Sequence, residues 1–223
     1  MKVVVVFCSI FAVCVAFESC YTDVVEACNN KGGASDIKHC DAKYGAANMI
    51  MYDLQSFAND HITRSFQYLL TATHFDNYEK NREGFTKLFR KLSDTAWEDG
   101  IKLIKYITKR GGQMNFSSRK QDKLLEKESG TYEIHELGSL SRALDVEKSL
   151  AEEAHNIHSE VMRRRENYHD PEVGAYLEDE FLHREADRIR ELAGYFNDLE
   201  HLVEAKDPSL SVFLFDEHLN SIV

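Results

Sequence analysis

The residues of this chain that could do chemistry are polar side chains in the middle of otherwise apolar helical patterns. Over four long stretches, apolar residues recur at intervals of three and four, which is typical of helices packed in a bundle. Near its middle each stretch carries a residue able to bind a metal or transfer a proton: His61 with Tyr68, Asp99, Glu147 and Glu185. Because an isolated buried carboxylate is costly or takes up a proton, polar residues at matching depth in every stretch indicate one polar layer.

The chemistry that such a layer suggests is a pair of metal ions. Helical bundles hold two iron ions when two helices each supply a Glu and the others supply Glu-x-x-His. The second stretch has Ala96-Trp97-Glu98-Asp99 where that motif is expected, so a bridging carboxylate and an imidazole are absent. The sequence therefore predicts the remnant of a metal site. An unusual ligand set of His61, Asp99, Glu147 and Glu185 stays open, since oxygen and imidazole groups can bind metals.

Four long helices and a short fifth one must position this layer. Gly111-Gly112 after Lys109-Arg110 is a strong signal for the end of the second helix, because glycine adopts the left-handed cap. The polar stretch 110–130 is long enough to cross the bundle. We therefore predict an all-α four-helix bundle with one long crossover loop, a short C-terminal helix and a cysteine-bearing N-terminal extension. The predicted long helices are Tyr44–Thr73, the stretch from the turn at Asp76-Asn77 to Arg110, Tyr132–Arg164 and Glu172–Val203.

The same patterns predict how the chain is divided. Residues 1–16 have one Lys, an apolar run and small residues at the spacing of a cleavage site, which indicates a secretory signal peptide. Residues 17–43 are the cysteine-bearing extension, residues 44–205 the bundle, and residues 206–223 the short helix and tail. The mature protein is expected to be secreted through the endoplasmic reticulum and Golgi.

Composition limits the partners. With 223 residues and 43% hydrophobic content, the chain can bury one substantial core. Its formal charge of −11 disfavours nucleic acid and anionic membrane surfaces, which clustered Lys and Arg recognise. We expect neither partner, and the charge suits a protein that attracts cations.

The cysteines of the mature chain are odd in number. Once Cys8 and Cys14 leave with the signal peptide, Cys20, Cys28 and Cys40 enter an oxidising compartment. We predict an intrachain Cys28–Cys40 disulfide, with Cys20 bonded to another chain. A zinc site is the weaker alternative, because no CxxC pair is present.

One modification site is predicted in the crossing stretch. Asn115-Phe116-Ser117 is an acceptor sequon for N-glycosylation in a secreted protein. We therefore expect a glycan on Asn115.

Short motifs spread from Tyr44 to Leu219 resemble those of ferritin subunits, and most closely the light-type subunits of secreted insect ferritins. The resemblance implies a subunit that stores iron as a ferric mineral in a mixed 24-subunit cage, together with heavy-type subunits that oxidise iron. The motifs are Phe85-Thr86-Lys87-Leu88-Phe89, Lys109-Arg110-Gly111-Gly112, Ala143-Leu144-Asp145-Val146-Glu147-Lys148, Ile189-Arg190-Glu191-Leu192 and Leu214-Phe215-Asp216-Glu217-His218-Leu219, with Phe75-Asp76 before them.

The resemblance also implies which positions correspond to the ferroxidase centre of the family. Tyr68 and Glu147 match its residues, and Glu147 is the one metal ligand retained. His61 and Glu185 replace a Glu and a Gln. Ala96 and Asp99 replace the central Glu and the His, so the implied subunit is not an enzyme and has no firmly bound catalytic metal.

Two further surfaces follow from the resemblance. Asp94 and Glu98 fall in the carboxylate patch where light-type subunits are thought to nucleate mineral. Glu178 matches one carboxylate of the three-fold channel, and Glu172 and Asp179 could replace the other.

Two other functions are weighed against the storage subunit. One is a ferroxidase that uses the unusual ligand set. The other is a secreted, cytokine-like helical binding module, which would have no reason for a central carboxylate layer and usually has two long crossovers.

Overall fold

A computed structural model describes residues 19–29, 37–117, 135–163, 169–204 and 207–223. The chain divides into two compact units, residues 1–42 and 43–223. The predicted signal peptide and residues 118–130 of the crossing stretch lie outside the described residues. None of the described helices combines the length and the hydrophobicity that a membrane span requires.

The described part of the first unit contains one helix, α1 (Cys20–Asn29), and a disulfide that differs from the predicted one. The bond joins Cys20 to Cys40, so the predicted Cys28–Cys40 pairing and the interchain role of Cys20 are wrong. The reason is the helix, in which Cys28 lies more than two turns beyond Cys20. The returning chain meets the start of α1, where the His39 amide donates to Asp23 at 2.8 Å.

The second unit is the predicted all-α bundle. α2 (Ala47–Phe75) packs against α3 (Glu83–Lys109) and α4 (Glu136–Met162). The fourth long helix consists of α5 (Pro171–Leu177), a π-helical turn (Glu178–Leu182) and α6 (His183–Val203). α7 (Pro208–Ile222) is the predicted fifth helix, and it packs against α3 and α6.

The ends of these helices follow local sequence signals. The two prolines of the chain each stand in a first helical turn after an Asp whose side chain accepts from a backbone amide, Asp170 from Val173 and Asp207 from Leu210. α3 ends as predicted, with Gly111 at a φ of +75°. α2 begins three residues later than predicted because Gly45, at a φ of +61°, turns the chain before it.

α7 is joined to the start of α3 by a tertiary cap. The Asp216 carboxylate accepts a hydrogen bond from the Phe85 amide at 3.0 Å, and so satisfies a donor that the first turn of α3 leaves free. A Cβ at Gly84 would collide with the Asp216 carbonyl oxygen, so this close approach requires glycine. The LFDEHL motif thus fixes the short helix on the bundle.

The predicted inward-facing positions form the core. Along α2, Leu54, Ala58 and Tyr68 are buried, and along α3 the same is true of Phe85 and Leu103. Large aromatic side chains fill the ends, where Phe75 stacks on Phe89 with ring centroids 5.7 Å apart. This apolar packing encloses one polar region in the middle of the bundle.

Candidate functional site

The polar layer, defined as His61, Tyr68, Asp99, Glu147 and Glu185, is buried at the centre of the bundle. Each of the four long helices contributes to it, and every side chain is at most 4% exposed. Their proximity was predicted from the sequence, because each lies on the inward stripe of its helix. The structure adds two arginines from α6, Arg184 and Arg188, that the sequence analysis did not identify.

Arg188 is the central cation of the layer. Its Nε donates to Glu147 Oε2 at 2.9 Å, and its terminal nitrogens lie 3.4 Å from Asp99 Oδ2 and 3.9 Å from Glu185 Oε1. Burial opposes this charge, but Glu147 and Asp99 outweigh it and raise the pKa of Arg188. One guanidinium therefore neutralises carboxylates from two different helices.

Asp99 also binds a second arginine, Arg184. Arg184 donates to Asp99 Oδ1 at 2.5 Å, and Lys102 lies 3.9 Å from the same oxygen. Arg184 is 37% exposed and Lys102 41%, so this side of the layer extends toward solvent. Lys102 also binds Glu180 at 3.1 Å. Asp99 is thus held between two guanidinium groups.

The other carboxylate, Glu147, also receives a neutral donor. The Tyr68 hydroxyl donates to Glu147 Oε1 at 2.8 Å. Burial, and then the charge of Glu147, raises the pKa of Tyr68 well above its ordinary value, so the phenol keeps its proton. Both oxygens of Glu147 are therefore occupied by donors.

His61 and Glu185 face each other without a hydrogen bond. His61 Nε2 lies 4.0 Å from Glu185 Oε1, which is too long for one, and neither side chain has a hydrogen-bond partner among the described residues. Burial, with the charges of Arg188 and Arg184, lowers the pKa of His61 to about 3, so the contact is not an ion pair at neutral pH. Burial, reinforced by Glu147 and Asp99, raises the pKa of Glu185 to about 7 despite the opposing effect of Arg188.

A crevice too narrow to hold a water molecule lies beside Ala96. His61, Glu147 and Arg188 are part of its lining. Within the described ranges, no group of three or more His, Cys, Asp or Glu side chains is arranged to hold a metal ion.

The arginines could have been noticed from their spacing. Arg184 and Arg188 are four residues apart and flank Glu185, so they share one side of α6. Arg184 also binds the π-helical turn just before it, because its Nε donates a hydrogen bond to the backbone carbonyl of Glu180 at 2.6 Å. Periodicity alone could not reveal that turn, because it inserts one extra residue into the helix.

The start of the fourth helix is fixed by a second buried network. Arg110 donates to Asp170 at 2.7 Å and to the Tyr44 carbonyl at 3.0 Å. It also binds Glu172, which accepts from the Tyr106 hydroxyl at 2.5 Å. Glu172 therefore has a clear structural role, in addition to its predicted place in a channel.

The other predicted surface residues lie apart from the layer. Glu178 and Asp179 are exposed, and Glu178 lies 2.7 Å from His158. Asp94 and Glu98 are exposed on α3, in a groove with basic residues, and Asp94 binds Arg90 at 3.1 Å. Asn115 is exposed in the segment that follows α3.

A four-helix bundle with a short fifth helix and a central layer of carboxylates defines a ferritin-like protein. Residues 53–202 match the family described as Ferritin-like domain, so the chain belongs to the ferritin family.

Two insect ferritin light chains match more than nine tenths of this chain. It is 43% identical over 214 residues to the ferritin light chain of Trichoplusia ni, a match covering 93% of this chain and 92% of that protein. It is 42% identical over 203 residues to the ferritin light chain of Drosophila melanogaster, covering 91% and 89%. The identity to the T. ni ferritin heavy chain is 29% over 160 residues, covering 71% and 73%.

A solved structure agrees with the fold. The crystal structure of T. ni secreted ferritin superposes with a TM-score of 0.82 at 41% identity, covering 92% of this chain and all of that one. The all-helical ferritin-like fold predicted from the sequence is confirmed.

Proposed function

We propose that this chain is a non-catalytic, light-type subunit of a secreted ferritin cage that stores iron as a ferric mineral. The observation that carries the proposal is the guanidinium of Arg188 between Glu147 and Asp99. The similarity to two insect ferritin light chains supports the same assignment.

The charges of the layer argue against iron oxidation there. A ferrous ion entering the layer would have to displace Arg188 from Glu147, and it would meet the fixed charge of Arg184 as well. Repulsion between cations is strong where water is scarce. With Ala96 and Asp99 in place of the bridging Glu and the His, the layer also lacks the ligands that would compensate.

A subunit without ferroxidase activity needs a partner that has it. We propose co-assembly with heavy-type subunits, and the predicted signal peptide directs this chain into the secretory pathway. Iron is then the stored cargo, and Glu178 with Asp179 would line its route through the three-fold channel.

The test is stopped-flow oxidation of Fe(II) by this chain alone and in a co-expressed mixture with a heavy-type chain. Alone, the chain should oxidise Fe(II) at the uncatalysed rate, while the mixture should oxidise it rapidly and form mineral. Glu147→Ala is the matched variant, and it should leave both rates unchanged.

One observation favours a second candidate, a ferroxidase with an unusual ligand set. His61 and Glu185 present buried polar atoms without hydrogen-bond partners among the described residues, and such atoms can bind a metal. In that case the chain alone would show rapid, saturable oxidation that Glu147→Ala abolishes.

A further inference from the structure

A groove on the solvent-exposed face of α3 concentrates positive charge on an acidic protein. The groove has a volume of about 480 Å³. It is lined by Val223 and by seven residues of α3, which are Thr86, Lys87, Arg90, Lys91, Asp94, Thr95 and Glu98. Three cations thus lie within little more than one helical turn of a chain whose formal charge is −11.

The cations differ in how far the protein uses them. Lys87 is hydrogen-bonded to Asn220 and lies 3.8 Å from Glu83. Arg90 binds Asp94 through Nε, which leaves the terminal nitrogens of its guanidinium for another acceptor. Among the described residues, no carboxylate lies within ion-pair distance of Lys91, which is exposed.

The spacing of the two lysines is unfavourable for the helix itself. Lys87 and Lys91 are four residues apart, so their ammonium groups are neighbours and repel each other. Lys105 and Lys109 on the same helix have the same spacing, but they lie at the C-terminal end, where the helix dipole favours cations. The dipole gives no such reason for Lys87 and Lys91.

The other polar groups of the groove limit what can bind. The hydroxyls of Thr86 and Thr95 donate to backbone carbonyls at 2.8 Å, so donors to a ligand must come from the three cations. Asp94 is already bound by Arg90, and Glu98 lies two turns beyond Lys91. A compact ligand with several negative oxygens fits the end of the groove near Lys87 and Lys91.

We propose that this groove binds an inorganic oxyanion of the phosphate type between Lys87 and Lys91, with Arg90 as a third donor. Charge-assisted hydrogen bonds from both lysines to the anion would offset the repulsion between their ammonium groups. Where the proposed function holds, this face corresponds to the mineral-facing side of the second helix, so the anion would be one incorporated with the stored iron. That extension rests on the proposed function, whereas the binding itself does not.

The experiment is a calorimetric titration of the iron-free, full-length secreted protein with inorganic phosphate at constant ionic strength. Saturable binding is expected, and the double variant Lys87→Gln/Lys91→Gln should weaken it by roughly tenfold or more. The matched control is Lys105→Gln/Lys109→Gln, which removes the same charge at the same spacing and should retain the affinity of the wild type. Sulfate should compete, and chloride should not.

Three results would overturn the proposal: no saturable binding by the wild type, equal weakening in both double variants, or equal competition by chloride. Equal weakening would mean attraction by overall charge rather than a site. Since the titration contains no iron, its result is independent of whether the chain alone oxidises Fe(II).

Discussion

Arg188 and Glu147 are joined by a hydrogen bond of 2.9 Å between side chains that are 16% and 3% exposed. The pair links α6 to α4 in the middle of the bundle, and Asp99 of α3 joins it through the same guanidinium. The layer therefore carries its own cation. This property explains how carboxylates remain buried in the middle of the bundle.

Removing that cation should destabilise the fold. Arg188→Leu leaves Glu147 and Asp99 with less compensation for their burial, and the loss of one partner from a buried pair typically costs about 3–5 kcal/mol. Denaturant unfolding should show a decrease in the free energy of unfolding of that size. The matched control is Arg190→Leu, an exposed position on the same helix, which should change the value by no more than about 0.5 kcal/mol. A similar effect of both variants would show that Arg188 is not the counter-charge.

Much of the architecture could be predicted because it depends on periodicity. The inward stripes of α2 and α3 gave His61, Tyr68 and Asp99 their correct positions, and the glycines after Arg110 gave the end of α3. These signals are local, and packing reinforces each of them.

The errors came from residues whose partners lie far along the sequence. Arg188 borders the inward stripe of its helix, where a long basic side chain usually reaches solvent, and only the facing carboxylates turn it inward. The disulfide was mispaired because α1 was not predicted, and without that helix the shorter sequence separation favoured Cys28 over Cys20 as the partner of Cys40. Which cysteines meet depends on the path of the returning chain.

The buried carboxylate Glu185 should make stability depend on pH. Its pKa is raised from its ordinary 4.5 to about 7. Its contribution to the free energy of unfolding is therefore fully present below pH 4.5 and is lost as the pH rises through 7. Relative to Glu185→Gln, the wild type should lose roughly 3 kcal/mol of unfolding free energy over this range, at 1.36 kcal/mol per pKa unit.

The comparison with Glu185→Gln is needed because His61 acts in the opposite direction. Its lowered pKa, about 3, means that stability is lost as the pH falls from 6.5 through that value. Urea unfolding of both proteins at several pH values isolates Glu185 by difference. Parallel curves for the two proteins would rule out a raised pKa at this position.

If the proposed function holds, building a ferroxidase centre in the polar layer should require removal of Arg188 as well as introduction of the family's ligands. The quadruple variant His61→Glu, Ala96→Glu, Asp99→His and Glu185→Gln supplies the missing side chains beside the retained Tyr68 and Glu147. With Arg188 still bound to Glu147, it should oxidise Fe(II) no faster than the background. Adding Arg188→Ala should give rapid oxidation that saturates at about two irons per subunit.

Stopped-flow measurement at increasing iron-to-subunit ratios distinguishes the two variants. Assembled wild type is the reference, and Arg188→Ala alone should remain inactive because the bridging Glu is absent. Rapid oxidation by the quadruple variant would contradict the view that the guanidinium excludes iron.

Asn115 should carry a glycan in the secreted protein. The residue is exposed, and its side-chain oxygen accepts from the Ser117 amide at 2.9 Å, which places the two sequon residues of the turn together. Intact-mass measurement before and after treatment with a glycosidase should show a loss of mass. Ser117→Ala keeps Asn115 but removes the sequon, so its mass should not change on treatment. An unchanged mass for the wild type would show that the sequon is empty.

The subunit should be covalently bonded to a heavy-type chain through Cys28. Three cysteines remain after the predicted signal peptide, and the bond between Cys20 and Cys40 leaves Cys28 as the odd one in an oxidising compartment. A disulfide there would fix a contact between unlike subunits and favour a regular mixture of the two chains in the cage. Non-reducing electrophoresis of the secreted particle should show a mixed dimer that reductant converts to the separate chains. Cys28→Ser should abolish the dimer, whereas the double variant Cys20→Ser/Cys40→Ser, which keeps only Cys28, should retain it. A dimer that persists in Cys28→Ser and disappears in the double variant would mean that the intrachain bond exchanges during assembly, and the absence of any dimer from the wild type would exclude the covalent link itself.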